Sequence, residues 1–275
     1  MRNLIFILLF SVNLFAQKNF DKKIKPIVEE GKMLYKSEMA SWYGTDLFLE
    51  NFKEREKIGG YFSYVEKDKA NCIFFSKSEN PKVIGTISFD STYNVKTAIL
   101  SLDERNFSKS ENDLYQIRKI ALNELQTDTL FKFYQNTNPN LIPIIRGKEK
   151  KVYILTGSKE SGVVIFGNDY LITFDKKNKI TSKKQLHKNI IPIYYGEDES
   201  IESAMHNHLP ETGDFMTATD ICTIMLYEKF AKWKTYQVFS KKYLNIWSCD
   251  KDELFIMTMD AVKKINEDQQ KENEE

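Results

Sequence analysis

Apolar positions recur along this chain with two different periods, and the change of period marks out its elements. Between residues 20 and 40, Ile24, Ile27, Val28, Leu34 and Tyr35 fall at helical spacing, with Pro26 and Gly31 interrupting the stripe. That spacing predicts an N-terminal helix. From Tyr61 to Leu102 the runs YFSYV, CIFF, VIGTISF and VKTAIL are short and β-branched or aromatic, with charged or Asn/Pro/Ser breaks between them. They predict an antiparallel meander. Ser108 then stands three residues before Glu111 in a capping-box spacing, and Leu114, Ile117, Ile120, Ala121 and Leu125 continue on one helical stripe. The NTNPN stretch, 136–140, has the composition of a turn and is taken as an internal boundary. Beyond it VYILTG, VVIFG, YLITFD, IIPIYY and the run into Met205–His208 read as strands. ATDICTIMLYEKFAKW then reads as a helix with Ile221, Ile224, Met225 and Ala231 inward, and YQVFS and YLNIWSC as a hairpin across Lys241–Lys242. The last residues, NEDQQKENEE, are polar enough to stay solvated and fray. The expected class is α+β: an N-terminal helix and antiparallel-strand region over 17–140, an α/β domain over 150–262, and a polar tail over 263–275.

The first sixteen residues modify that picture. Arg2 precedes an uncharged run, Leu4–Phe15, closed by Ala16, which is short for a membrane span and reads as a cleavable signal peptide over 1–16. The expectation is a periplasmic or secreted protein. No cysteine follows Ala16 to accept a lipid, and no later apolar run is long enough for an integral membrane segment. With Arg2 removed, the 40 basic residues fall to match the 39 acidic ones, so the charge balance argues against a nucleic-acid partner. The 3 cysteines are odd in number, which excludes a disulfide scaffold.

Candidate chemistry is concentrated in HNHLPETGDFMTATD, residues 206–220. Residues two apart on a strand face the same side, so His206 and His208 can aim both imidazoles at one point while Asn207 faces away. Catalytic zinc usually takes three protein ligands and keeps one position for water, with a carboxylate oxygen a common third ligand. Asp220, one turn into the following helix, is placed to supply it. Thr217 brings a hydroxyl to the same helix start, where Thr217-x-x-Asp220 also reads as a plain capping box. A cupin-like reading would use Glu211 instead, but the short spacing and the helix that follows disfavour an all-β barrel. His187 has no partner at ligand spacing and is expected at the surface or at a strand end.

His206-x-His208 followed by Thr217-x-x-Asp220 resembles the JAMM (MPN-type) zinc metallopeptidase motif, His-x-His-Pro, a variable turn, then Ser-x-x-Asp. The resemblance covers about residues 150–260. It implies a cytidine-deaminase-like α/β domain in which His206, His208 and Asp220 bind Zn²⁺, Thr217 takes the oxyanion-stabilising place of the Ser, and an upstream Glu is the general base. KESGVVIFG, 159–167, resembles the family's Glu-bearing entry strand, with Gly162 one place early for the inner glycine, and makes Glu160 the candidate. The stretch from YLITFD to His-Asn-His is also similar to the bacterial RadC branch, although there the Glu would fall near Gly167 or Asn168. Leu209 stands where the motif has Pro, and Thr217 where it has Ser. Two functions are therefore expected: an exported zinc metallohydrolase cleaving a peptide or isopeptide bond of a protein substrate, or a noncatalytic secreted or envelope binding module on a degenerate JAMM-like fold.

Overall fold

The computed structural model describes residues 2–196 and 201–274, with side chains over 20–196 and 201–271. It is a mixed α+β protein of two compact units: a central one, Met33–Pro192, and a terminal one built from Met1–Lys32 together with Ile193–Glu275. A long helix, α1 (Arg2–Asn51), supplies residues to both. It runs through Pro26 and well past the expected residue 40. No helix among the described residues is long and apolar enough to cross a membrane. The expected signal peptide falls in the stretch of α1 whose side chains lie outside the described residues.

In the central unit, β1 (Ile58–Glu66), β2 (Lys69–Ser76), β3 (Val83–Phe89) and the short β4 (Ile99–Ser101) form an antiparallel sheet in chain order, the expected meander. Phe48 of α1 stacks on Phe74 with ring centroids 3.9 Å apart, and Ala40, Cys72, Ile87 and Phe89 complete that core. Helix α2 (Lys109–Thr127) starts at the expected capping box: the Ser108 hydroxyl accepts from Glu111 N, and the Glu111 carboxylate accepts from Ser108 N at 2.7 Å. Its stripe of Leu114, Ile117, Ala121 and Leu125 is buried. Each buried Leu or Ile contributes about 1.5–3 kcal/mol relative to exposure.

After α2 the chain forms β5 (Thr137–Arg146), β6 (Glu149–Ser158), β7 (Val163–Gly167), β8 (Tyr170–Phe174), β9 (Ile180–Gln185) and β10 (Ile190–Tyr194). A second antiparallel sheet packs under α2 in the order β5, β6, β8, β9, while β7 and β10 pair separately. The expected division at 140–150 is thus corrected. NTNPN lies almost wholly inside β5, which pairs with β6 along its whole length, and residues 150–192 belong with the central unit. Pro139 gave NTNPN the composition of a turn, but β5 is an edge strand, where an N–H facing away from the partner strand carries no ladder bond and Pro is tolerated.

The terminal unit carries β11 (Ser203–Asn207), α3 (Ala218–Tyr227), β12 (Thr235–Phe239), β13 (Tyr243–Ser248), β14 (Glu253–Thr258) and α4 (Met259–Glu274). Its sheet runs β11-β12-β13-β14. β11 and β12 are parallel with α3 as the crossover, and the rest is antiparallel, including the expected hairpin across Lys241–Lys242. The tail expected to fray instead continues α4 to Glu274. Its Lys, Glu and Gln residues are good helix formers, and no Gly or Pro interrupts them.

Candidate metal centre

The parallel pairing of β11 with β12 fixes where the two histidines stand. His206 lies opposite Val238, and the backbone N–H of His208, one residue past the strand, donates to Phe239 O at 2.7 Å, so the ladder is carried on through the second histidine. With one residue between them the rings share a face, their centroids 5.1 Å apart. Both side chains are buried, at 2% and 0% exposure.

The chain then turns through 209–216 into α3, and two interactions fix where the helix begins. The first is the capping box. Thr217 Oγ1 accepts from Asp220 N at 3.1 Å, while Asp220 Oδ2 accepts from Thr217 N at 2.7 Å and from the Thr217 hydroxyl at 2.8 Å. The second is Asn245 on β13, fully buried, whose amide donates to Asp214 O and Val238 O and whose Oδ1 accepts from Met216 N. Three hydrogen bonds to one buried amide tie the end of the loop to the neighbouring strands. Helix α3 is buried almost all round, as expected for a crossover under its sheet; Gly31 of α1 packs directly on Ile221.

These constraints bring His206, His208 and Asp220 together. His208 Nε2 lies 3.1 Å from Asp220 Oδ2, and His206 Nε2 lies 3.5 Å from Asp220 Oδ1. The three residues each offer a donor atom within 4.8 Å of the others. Two ligands bound at about 2.0–2.1 Å with a tetrahedral angle between them sit about 3.4 Å apart, close to the His206–Asp220 separation. Two imidazoles and a carboxylate so arranged could hold a divalent metal ion. His206 Nδ1, on the far side of its ring, lies 3.1 Å from the hydroxyl of Tyr236, a buried residue of β12 on the same face of the sheet. Burial, with the Asp220 carboxylate adding to it, pushes the Tyr236 phenol well above its ordinary range, so it stays protonated.

The other expected participants stand differently. Thr217 is in place, but its hydroxyl serves the capping box and also lies 2.8 Å from Thr219 Oγ1. Glu160 belongs to the central unit, in the turn between β6 and β7; it is exposed, and Oε1 accepts from Asn136 Nδ2 at 2.6 Å. Glu211 is exposed in the turn after the histidines. His187 lies just past the end of β9, one of its two expected places, but is buried: Asp169 Oδ1 lies 2.7 Å from its Nδ1 and accepts from its backbone N–H at 3.0 Å. Asn168 and Gly167, both at positive φ, turn the chain between β7 and β8 so that Asp169 can reach it. Tyr236 and Asn245 escaped the sequence reading because neither is a ligand type and each is distant in sequence from the motif it supports.

Comparison with family models, with curated proteins and with solved structures finds no match to this chain.

Proposed function

We propose that the terminal unit is a zinc-binding module of JAMM-like type, held by His206, His208 and Asp220, in an exported protein that acts by binding rather than by catalysis. The observation that carries the reading is the convergence of two imidazoles and one carboxylate, each 2% exposed or less, from a strand and a helix start joined by a fixed loop. The donor set fits zinc, which favours nitrogen with oxygen or sulfur ligands in tetrahedral geometry. Export rests on the Arg2 and Leu4–Phe15 pattern alone, and predicts a mature N-terminus at or near Gln17.

A peptide or isopeptide hydrolase is the second reading, favoured by the order His-x-His…Thr-x-x-Asp. In such a centre bound Zn²⁺ supplies Lewis acidity. The surroundings of the two residues that would complete the chemistry do not favour it. The Thr217 hydroxyl is directed to Asp220, where an oxyanion donor would have to face substrate. The Glu160 carboxylate is exposed and engaged by Asn136, whereas a general base must be positioned within hydrogen-bond reach of the proton it takes.

Zinc content of the metal-replete full chain, followed by assay on a mixed peptide library, separates the readings. About one zinc per chain with no turnover above a chelator-treated control supports the module. Turnover that Asp220→Asn abolishes supports the hydrolase and contradicts the module, and absence of zinc overturns both.

A further inference from the structure

Tyr236 stands where it can decide which nitrogen of His206 faces the metal. The two residues lie on adjacent parallel strands: His206 pairs with Val238, and Tyr236, two positions earlier, presents its ring to the same face. The ring centroids are 5.6 Å apart, and the phenol oxygen meets Nδ1 at 3.1 Å. Nε2, at the opposite corner of the imidazole, is the nitrogen turned toward Asp220. Tyr236 is itself held: it is fully buried, and the Trp233 ring packs against it at 5.0 Å.

A neutral imidazole carries one proton, and only the nitrogen without it has a lone pair for a metal. If Tyr236 donated to Nδ1, the ring proton would sit on Nε2 and oppose binding. If Nδ1–H donates to the Tyr236 oxygen, the Nε2 lone pair faces the centre. We infer that Tyr236 is a positioning residue of the metal centre, accepting a hydrogen bond from His206 Nδ1–H and so fixing both the ring plane and the tautomer that presents Nε2. The inference rests on the zinc reading above. It adds a partner that the ligand motif does not contain, and gives Tyr236 a role beyond filling the core.

Loss of such an outer partner typically weakens metal affinity about 10–100-fold. Tyr236→Phe keeps the ring and its packing but removes the acceptor. It is expected to weaken zinc binding by about that factor, measured by competition with a chromogenic chelator, while the far-UV spectrum of the metal-free chain stays at wild-type values. In a His206→Ala background the same substitution should have no further effect on zinc. A readout on the wild-type chain does not depend on the variant folding: ¹⁵N-resolved imidazole NMR of the zinc-loaded protein should show His206 protonated at Nδ1. Equal zinc affinity of wild type and Tyr236→Phe, or a His206 proton on Nε2, overturns the inference and leaves the zinc reading intact. A wild-type chain that binds no zinc defeats the zinc reading, and the inference with it.

Discussion

At the scale of single residues, Thr217 joins fold to site most closely. Its hydroxyl and N–H both bond Asp220 Oδ2, so one capping box starts α3 and orients the proposed third ligand. Thr217→Ala should cost about 1 kcal/mol of stability through the lost cap and also weaken zinc binding. Thr217→Ser should restore both, and zinc affinity unaffected by Thr217→Ala would separate the cap from the centre. Glu38 is a second residue with consequences of its own. It is buried in the central unit beside Asn140, and burial, only partly offset by Arg118, pushes its pKa up to about 8. Its folded pKa lies above its unfolded one, so its contribution is fully present below about 4.5 and is lost as pH rises through about 8. Glu38→Gln should flatten the fall in stability across that window, which denaturant titrations at pH 5 and 8.5 would detect; an unchanged slope would refute it. The residues legible beforehand were those with local signatures: the two histidines by their alternation, and Ser108, Glu111, Thr217 and Asp220 by capping spacing. Tyr236, Asn245 and the Asp169 partner of His187 act across 18 to 30 residues of chain and left no local pattern.

Among the elements, α1 and α3 approach closely enough for one methyl group to matter. A Cβ on Gly31 would lie 2.7 Å from Ile221 Cβ and 3.0 Å from Ala218 O. Gly31→Ala would gain about 1 kcal/mol of helix propensity, but overpacking against a core side chain and a backbone carbonyl costs about 1–3 kcal/mol. Net destabilisation is therefore expected, seen as a lower denaturation midpoint; a rise would mean the helices can separate at little cost. Gly31 had weakened the sequence reading of α1, yet in the fold it is the residue that permits this contact. The same lesson holds for Pro139: composition marked a boundary, while an edge position in the sheet made it compatible with β5. Strands with clear alternation and helices with a cap and a stripe were readable. What a single sequence withheld was pairing, so β6 and β8 were expected with the histidine strand and instead complete the sheet under α2, together with β9, whose polar residues gave no strand signal.

Across the whole molecule, the terminal unit is assembled from both ends of the chain, with Phe20 packing edge-on against Phe215 and Tyr243 and the Lys32 ammonium 5.8 Å from the Trp247 ring centroid. A contiguous C-terminal domain was the natural expectation because nothing in composition links residues 20–32 to residues beyond 193. Zinc that binds only the folded form would stabilise this unit by mass action, about 4 kcal/mol at a thousandfold excess over Kd. The most direct test is the zinc content of the full chain purified under metal-replete conditions, compared with His206→Ala, His208→Ala and Asp220→Asn chains. One zinc per wild-type chain, most of it lost in each of the three variants and retained in Glu211→Gln, is the predicted result. A wild-type chain without zinc, or variants that keep it, would contradict the account.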